Sequence, residues 1–367
     1  MTSRVIPIRP EVKTIPLVGE IRRDATHWLD KRGRPLRDVR ISITDRCNFR
    51  CRYCMPKEKF EKNHSFLSHT EVLSFEEIMR LAKIFVANGV EKIRLTGGEP
   101  LLRKGVENLI AKLSELKTWE GKPLDVAVTT NGAALSAKSK ALAAAGLKRL
   151  TVSLDAMDPE IYMKLNDVGF PIEKTLAGIK AAHDAGIPSI KINVVVKRGV
   201  NENELLKIVE HFKGTGIIVR FIEYMDVGSS NGWRLDDVIP SKEIVRQINA
   251  VYPIEPADPN YPGEVATRWK FKDGSGEVGF ISSVSEPFCK ECSRIRLSVD
   301  GKLYKCLFAT EGFDIRQMLR GGGTDEEIAD AIGRIWSNRD EHYSEIRTQA
   351  TAKERQNKRI EMSYIGG

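Results

Sequence analysis

Between residues 38 and 224 the sequence alternates short β-branched runs with helical patterns, and this alternation constrains the fold more than any other feature. Six runs have the length and composition of strands. They are VRISIT (39–44), KIRLT (92–96), DVAVTT (125–130), LTVSL (150–154), IKINVVV (190–196) and IIVRFIEY (217–224). Strands that alternate with helices are joined by crossovers that make them parallel. The pattern therefore predicts an α/β fold around a parallel sheet.

The number of strand–helix units narrows the architecture. Six units are two short of a closed (β/α)8 barrel. We therefore expect an open six-stranded partial TIM-type (β/α)6 barrel. A doubly wound open sheet is the alternative, and periodicity does not separate the two.

Helix boundaries are readable where capping residues occur. Ser74-Phe75-Glu76-Glu77 is a capping box, and Gly89 follows the apolar stripe that it opens. Further helices are predicted over 173–185 and 204–212, and another capping box predicts a helix that begins near Thr324.

Composition shifts divide the chain into three parts. Residues 1–36 contain scattered prolines and no helical stripe, which predicts an irregular N-terminal arm. Residues 37–250 contain the strand–helix core. Residues 251–367 open with clustered prolines and carry two hairpin signals, Asp273-Gly274 and Asp300-Gly301. They predict a smaller C-terminal α+β domain.

The charge balance bounds the partners. The chain has 58 basic and 50 acidic residues, a formal charge of +8, which suits an anionic ligand or nucleic acid. The charges are interspersed, so this signal is weak. No uncharged apolar run reaches the ~18 residues of a membrane span, and the first 30 residues lack the apolar block of a signal peptide. We expect a cytoplasmic protein with no membrane partner.

The cysteines are more specific. All six fall into two groups of three, Cys47, Cys51 and Cys54, then Cys289, Cys292 and Cys306. In a chain without a secretion signal, tight cysteine clusters bind metal more often than they form disulfides.

The first triplet directly follows the first predicted strand. Three thiolates can hold three irons of a 4Fe–4S cluster and leave the fourth iron open to a ligand. A zinc site is the alternative and would need a fourth ligand, such as His64 or His69. Because zinc sites usually use paired C-x-x-C spacing, we favour the cluster.

Polar and glycine-rich runs follow the other strands, where a parallel fold places ligand-binding loops. They include GGEP (97–100), TTNG (129–132), SLD (153–155) and EYMD (223–226), and the fifth strand carries Lys191 and Asn193. Paired glycines allow close approach of backbone to a ligand, and the carboxylate of Glu99 could accept an ammonium group.

The second triplet also lacks a fourth cysteine, which again suggests an open iron, here facing a substrate. The alternative is an incomplete zinc ribbon. Arg294 and Arg296 follow Cys292, and strand alternation places both guanidinium groups on one face. Such forks suit phosphate.

These motifs together resemble two families, one within the other. C-x-x-x-C-x-x-C with Tyr53 before the last cysteine, followed by GGEP, resembles the radical S-adenosylmethionine (SAM) superfamily. Both triplets, with RLTGGEPLLR, VSLDA, RFIEYMDVG, SVSEPFCKECSRIRLS and the ending SYIGG, resemble the GTP 3′,8-cyclase family of molybdenum cofactor biosynthesis over about residues 32–367.

The resemblance implies roles for named residues. Each triplet would ligate a 4Fe–4S cluster, the first binding SAM and the second facing the guanine base. SAM contacts are implied for Tyr53, Gly98, Ser153 and Met225. GTP contacts are implied for Arg40, Arg94, Thr129, Lys191, Arg294, Ile295 and Arg296. The resemblance also implies that Gly366-Gly367 reaches the active site, and roles in the chemistry are expected for Arg40, Arg294, Arg296, Gly366 and Gly367.

The implied reaction is radical cyclisation. SAM is cleaved reductively to the 5′-deoxyadenosyl radical, hydrogen is removed from C3′ of the GTP ribose, and the C3′ radical attacks guanine C8. A second electron and a proton then give 3′,8-cyclo-7,8-dihydro-GTP. An external electron donor is required, and family members are commonly homodimers.

Two other functions remain as alternatives. A radical SAM enzyme that modifies peptides would typically carry more cysteines in its C-terminal region. A nucleic-acid-binding protein would need aromatic residues beside its basic ones, and residues 347–359 are basic but poor in aromatics. We therefore expect no nucleic-acid partner.

Overall fold

A computed structural model describes residues 11–16, 18–61, 64–354 and 359–366, the side chain of Gln349 excepted. Thirteen strands lie within these residues. They are β1 (Glu11–Lys13), β2 (Asp38–Ser42), β3 (Lys92–Thr96), β4 (Asp125–Thr130), β5 (Arg149–Ser153), β6 (Ser189–Val196), β7 (Ile218–Glu223), β8 (Ile254–Ala257), β9 (Thr267–Phe271), β10 (Glu277–Ile281), β11 (Arg294–Leu297), β12 (Lys302–Tyr304) and β13 (Glu311–Asp314).

Twelve α-helices accompany them within the same residues. They are α1 (Phe75–Ala87), α2 (Val106–Ser114), α3 (Leu135–Ala144), α4 (Pro159–Asn166), α5 (Ile172–Asp184), α6 (Leu205–Phe212), α7 (Ser241–Val251), α8 (Arg316–Arg320), α9 (Asp325–Ser337), α10 (Tyr343–Ile346), α11 (Gln349–Glu354) and α12 (Met362–Ile365). Both predicted capping boxes are present, at Ser74 with Glu77 and at Thr324 with Glu327. Both helices begin where the sequence predicts.

The six predicted strands are β2 to β7, and they lie side by side in chain order with every neighbouring pair parallel. The predicted open α/β fold around a parallel sheet is confirmed. The sheet is longer than six strands, since its order is β1-β13-β12-β11-β2-β3-β4-β5-β6-β7-β10-β9-β8. Its two edge strands do not pair with each other within the described residues.

The C-terminal strands extend this sheet at both edges and do not form a sheet of their own. β11 pairs parallel with β2, and β10 pairs parallel with β7. The two predicted hairpins are the antiparallel pairs β9–β10 and β11–β12, with Asp273-Gly274 and Asp300-Gly301 in their turns. Residues from the end of the chain therefore flank the first and sixth strands of the core.

The two faces of the central sheet differ in chemistry. One face is apolar, buried and packed against the helices, as with Ile93 and Leu95 of β3. The opposite face, which we call the inner face, is polar and partly exposed. Its residues are Asp38, Arg40, Ser42, Lys92, Arg94, Thr96, Asp125, Ala127, Thr129, Arg149, Thr151, Ser153, Ser189, Lys191, Asn193, Ile218 and Arg220. A surface this polar in the middle of a sheet is suited to a charged ligand and not to core packing.

The described part of the N-terminal arm, residues 11–16 and 18–36, is more ordered than the sequence predicts, and residues 1–10 and 17 lie outside the described residues. β1 pairs parallel with β13, and short bridges join Arg23 to Trp28 and Leu29 to Pro35. Trp28 and Leu36 are buried in the main core. The arm packs against the core because burial of these two large apolar side chains is favourable. The scattered prolines indicate irregular backbone and do not predict this burial.

Among the described residues, no helix combines the length and the apolar character that crossing a bilayer requires.

Candidate active site

The first cysteine loop leaves the C-terminal end of β2 and is tied down by its own backbone. The carbonyl oxygen of Cys51 accepts hydrogen bonds from the backbone N–H groups of Cys54 at 2.9 Å and Met55 at 2.8 Å. Arg50 donates to the carbonyl oxygen of Cys47 at 2.9 Å and to that of Phe60 at 3.0 Å. The loop is therefore held by hydrogen bonds to its own backbone carbonyl groups, and its three thiols form no disulfide.

The three thiols lie close enough to influence one another. Burial raises the pKa of Cys47 to about 11. Burial and the neighbouring Cys54 and Cys47 raise the pKa of Cys51 well above its usual range. Without a bound cation these groups stay protonated at neutral pH, and a metal would be needed to stabilise three adjacent thiolates.

The donor groups near the first triplet distinguish a zinc site from an iron–sulfur cluster. Among the described residues, no three His, Cys, Asp or Glu side chains converge closely enough to hold a single metal ion. A zinc ion would need such a group. His64 instead packs its ring against Phe60 and Phe66, with centroids 4.8 Å and 4.9 Å away. A 4Fe–4S cluster takes one thiolate per iron, so three neighbouring but separate thiols fit it.

The glycines after β3 are required by the protein's own backbone. A Cβ on Gly97 would lie 2.3 Å from the carbonyl oxygen of Thr44, and one on Gly98 would lie 2.2 Å from that of Arg46. Gly98 N–H donates to the Thr44 carbonyl oxygen at 2.7 Å. The turn therefore supports the segment that leads into Cys47.

Glu99 is buried and is hydrogen-bonded by the protein itself. Its buried carboxylate accepts hydrogen bonds from the Thr130 hydroxyl and the Asn131 backbone N–H, both at 2.7 Å, and from the Leu101 N–H at 3.0 Å. Burial raises the pKa of Glu99 to about 7. Its position ties the end of β3 to the end of β4.

Gly98→Ala is expected to lower both stability and iron content at the first triplet. Because the clash is with backbone, the Cys47 loop must move, at a cost of about 1–3 kcal/mol. Thermal melting and iron analysis after anaerobic reconstitution measure the two effects. Gly214→Ala is the control, because its Cβ meets nothing within 4 Å although φ is +81° there. It should cost stability through backbone strain and keep its iron, and equal iron in both variants would contradict the prediction.

The residues predicted to contact SAM lie in the cysteine loop or at the C-terminal ends of the parallel strands β3, β5 and β7, the same end of the sheet at which the cysteine loop leaves β2. The Tyr53 hydroxyl donates to Asp155 at 2.7 Å, and Asp155 also accepts the Val195 backbone N–H at 2.8 Å. Ser153 ends β5 on the inner face, and Met225 follows β7 beside an apolar patch. Gly98 follows β3, the strand next to the one that leads into the cysteine loop. Asp155 of the SLD run was assigned no function from the sequence. The structure shows that Asp155 positions the Tyr53 hydroxyl.

Four arginines stand side by side on the inner face. Arg296 of β11 is in register with Arg40 of β2, which is in register with Arg94 of β3, and Arg294 is opposite Asp38. Burial and the charges of Arg296, Arg294 and Arg94 lower the pKa of Arg40. Among the described residues, the buried Nε atoms of Arg40 and Arg94 have no hydrogen-bond partner. Positive charge is therefore concentrated here and only partly offset by Asp38 and Asp125.

A hydrogen-bonded group continues the inner face beyond the arginine row. Arg94 donates to the hydroxyls of Thr129 at 2.9 Å and Thr151 at 3.2 Å. Arg220 donates to Thr151 at 3.3 Å and to the Asn193 side chain at 3.0 Å. Thr151 and Arg220 were not assigned to the site from sequence. Period-two alternation along β5 and β7 would have assigned both residues to the face of the sheet that carries Lys191.

One predicted contact is not a side-chain contact. Ile295 is fully buried on the apolar face, because alternation along β11 turns it away from Arg294 and Arg296. Only its backbone is available to a ligand.

The second triplet lies at the opposite end of the inner face from the first. β11 runs parallel to β2. Cys292 lies just before the start of β11, whereas the first triplet follows the end of β2, so the two triplets lie at opposite ends of these strands. Burial opposes ionisation of Cys292, but the guanidinium groups of Arg294 and Arg339 outweigh it and lower the pKa of its thiol to about 6. Arg294 and Arg339 also donate to its sulfur, at 3.4 Å and 3.1 Å. This environment favours a thiolate ligand.

The C-terminal tail enters the space between the triplets. Ile365 is fully buried, and the Tyr364 hydroxyl donates to Asp300 at 2.6 Å. The carbonyl oxygen of Gly366 accepts a hydrogen bond from Arg296. A Cβ on Gly366 would lie 2.2 Å from the Thr96 side chain. Gly367 lies outside the described residues.

Family profiles match most of the chain. Residues 41–212 match the Radical SAM superfamily, and residues 217–345 match Molybdenum Cofactor Synthesis C. Among solved structures, Streptococcus suis SuiB bound to S-adenosylmethionine is similar with a TM-score of 0.57 and 15% identity, over 85% of this chain and 68% of SuiB. At that identity the similarity shows the fold alone.

Full-length relatives are much more similar in sequence. Proteins named GTP 3′,8-cyclase are 47% identical in Acidothermus cellulolyticus, over 92% of this chain and 98% of the relative, and 48% identical in Xanthomonas campestris pv. campestris, over 92% and 97%. A relative of the same name in Staphylococcus haemolyticus is 47% identical over 92% and 98%. At this identity and coverage, with the same two profiles side by side, the chain belongs to the GTP 3′,8-cyclase family within the radical SAM superfamily.

Proposed function

We propose that this protein converts GTP to (8S)-3′,8-cyclo-7,8-dihydroguanosine 5′-triphosphate, the first step of molybdenum cofactor biosynthesis. The observation that carries the proposal is the row of Arg40, Arg94, Arg294 and Arg296 on the inner face between two cysteine triplets. Arg40, Arg94 and Arg296 lie in register and Arg294 lies beside them, while Asp38 and Asp125 are the acidic groups that act on Arg40 and Arg94. This concentration of buried cations is costly without an anion. A triphosphate supplies that charge in a form that arginine forks recognise.

As a radical SAM protein the chain uses a 4Fe–4S cluster and SAM. Cys47, Cys51 and Cys54 would hold this cluster. When bound, the cluster would supply the electron for reductive cleavage of SAM. Tyr53 and Gly98 would orient SAM, the former through its hydrogen bond to Asp155.

A second 4Fe–4S cluster is part of the proposal. Cys289, Cys292 and Cys306 would hold it, and its open iron would bind the guanine base. Two arginines at the Cys292 sulfur support this assignment, since their charge is balanced by a thiolate and not by a thiol.

The chain's own residues would then bind and orient GTP. The arginine row would hold the triphosphate, and Arg94 with Thr129 and Lys191 would fix the nucleotide so that C3′ faces the SAM end and guanine the second triplet. Arg40, Arg294 or Arg296 would supply the final proton or restrain the radical. Gly366, already hydrogen-bonded to Arg296, would limit access of water. The requirement for an electron donor, the homodimer and the cytoplasmic location remain predictions.

The test is an anaerobic reaction with reconstituted protein, SAM and dithionite, with and without GTP, ATP or CTP. GTP-dependent formation of 5′-deoxyadenosine and of a cyclised nucleotide is expected. Deoxyadenosine without nucleotide preference would retain the radical SAM chemistry and refute the substrate. No deoxyadenosine from protein shown to carry iron on both triplets would refute the activity.

Lys191 predicts a pH dependence of GTP binding. Burial and the nearby Arg220 lower the pKa of Lys191 to about 8. Burial also lowers the pKa of Arg40 and Arg220, but a guanidinium group keeps its proton in proteins, so Lys191 is the group that titrates. GTP binds the ammonium form, so affinity should be nearly constant from about pH 7 to 8, where the terminal phosphate is ionised, and fall by up to about tenfold per unit above pH 8. The stability of the ligand-free protein should change in the opposite direction. Above about pH 8 the unfolded chain binds more protons at Lys191 than the folded protein does, so the free energy of unfolding rises with pH there.

Anaerobic equilibrium dialysis with GTP across that pH range measures the effect. Lys191→Gln should bind GTP more weakly and with a flat profile. A wild-type profile as flat as that of the variant would show that Lys191 does not face the triphosphate.

A further inference from the structure

Asp30 is a buried carboxylate in the N-terminal arm, outside the region that carried the family resemblance. It is 0% exposed. One oxygen accepts the backbone N–H groups of Arg32 and Arg34, both at 2.9 Å. The other accepts Arg34 Nε at 2.6 Å and Arg339 Nη1 at 2.8 Å. About four acceptor positions of a carboxylate are thereby filled.

The two arginines reach all three parts of the second triplet. Arg34 Nη1 donates to the carbonyl oxygen of Cys289 at 2.8 Å. Arg339 Nη1 donates to the carbonyl oxygen of Cys292 at 2.8 Å, and its Nη2 to the Cys292 sulfur at 3.1 Å. Arg339 Nε donates at 2.9 Å to the carbonyl oxygen of Lys305, the residue before Cys306.

The parts so joined are distant in sequence and are locked by further contacts. Arg339 follows α9, and its carbonyl oxygen accepts the Lys31 N–H at 3.1 Å. The Trp336 indole donates to the Arg34 carbonyl oxygen at 3.1 Å. The Asp30 carboxylate thus has little freedom to exchange partners.

Stability alone does not account for three buried charged groups here. Desolvation of ions usually costs as much as their attraction returns, and apolar replacements are often at least as stable. Two guanidinium groups against one carboxylate also leave a net positive charge. That charge lies against cysteines that can become thiolates, so a role toward the thiolates explains what packing does not.

We propose that Asp30, Arg34 and Arg339 are positioning residues for the second cluster: they hold its three cysteine-bearing segments in ligand-ready geometry and donate an N–H···S hydrogen bond to Cys292. The inference rests on the proposed second cluster. It assigns a function to the N-terminal arm, which contributes Asp30.

Two measurable consequences follow. Partners that orient metal ligands typically contribute about 10- to 100-fold to metal affinity. Hydrogen bonds to ligand sulfurs also tune the reduction potential of iron–sulfur clusters, and losing one leaves the sulfur more electron-rich and the potential lower.

The experiment uses the full chain carrying Cys47→Ala, Cys51→Ala and Cys54→Ala, so that only the second triplet can bind iron. Asp30→Asn and Arg339→Lys are each added to this background. Asp340→Asn is the matched control, because Asp340 is exposed beside Arg339. After anaerobic reconstitution, iron per chain, the rate of iron loss to a chelator and the reduction potential from electron paramagnetic resonance titration are measured, with circular dichroism to check folding.

We expect about 10- to 100-fold faster iron loss in Asp30→Asn and Arg339→Lys, a lower potential in Arg339→Lys, and neither change in Asp340→Asn. Iron loss within twofold of the background together with an unchanged potential would overturn the inference while leaving the second cluster intact. If the background itself binds no iron, the proposed second cluster fails, and the inference fails with it. Should Asp30→Asn not fold, Arg339→Lys decides, because a purely structural role would lower the melting temperature without moving the potential.

Discussion

Cys51→Ala is expected to abolish SAM cleavage while leaving iron on the second triplet. Burial and the neighbouring Cys54 and Cys47 raise the pKa of the Cys51 thiol, so this thiol lies close to both of the others. Removing a ligand should exceed the roughly 10- to 100-fold loss typical of an outer contact. The measurements are 5′-deoxyadenosine formed from SAM and dithionite, and iron per chain.

Cys292→Ala is the comparison for Cys51→Ala, because it removes a ligand of the second triplet and leaves the first intact. It should keep the first cluster and continue to cleave SAM, but form no cyclised nucleotide, because the proposed guanine site is lost. If both variants lost SAM cleavage equally, the two triplets would not act as separate sites at opposite ends of the inner face.

Arg40→Met is expected to weaken GTP binding strongly and yet stabilise the ligand-free protein. Arg40 lies in register with Arg94 and Arg296, and its Nε has no hydrogen-bond partner in the part of the chain that the structure describes. A charge-assisted bond to phosphate contributes about 1.5–3 kcal/mol, so the dissociation constant should rise about 10- to 100-fold. Relief of like-charge repulsion should raise the free energy of unfolding by about 1 kcal/mol or more.

Equilibrium dialysis with GTP and chemical denaturation without it measure the two effects. Arg246→Met, which replaces an exposed arginine on α7, is the control and should change neither by more than about 0.5 kcal/mol. Arg40→Met that binds GTP normally would remove the central support for the proposed function. Loss of both GTP binding and stability in Arg40→Met would show that Arg40 has a structural role. A functional charge cluster should instead lose binding and gain stability.

The core strands were predictable because their signals are local. β3 and β4 have the predicted bounds, and both capping boxes occur where Ser74 and Thr324 predict them. Side-chain branching, capping and alternation act over a few residues, so they can be read from a single chain. The cysteine triplets and Arg294-Ile295-Arg296 were likewise visible in the sequence, because their chemistry depends on residue type and spacing.

The sheet's final extent was not predictable by the same means. β11 pairs with β2 although Arg294 and Asp38 are far apart in sequence. Which edge a strand joins depends on long-range packing, and the hairpin signal at Asp300-Gly301 specifies only its neighbour β12. Without that pairing, the second triplet could not be placed opposite the first.

The sequence by itself determined the fold class, the family and the identities of the residues with distinctive chemistry. The tertiary structure alone decided which of them meet: that Arg220 and Thr151 join Arg94, that Ile295 turns into the core, and that Asp30 reaches the second triplet through Arg339. The reason is physical. Local conformation follows from short-range sterics and hydrogen bonding, whereas a buried charge is placed by the partners that the whole fold brings within reach.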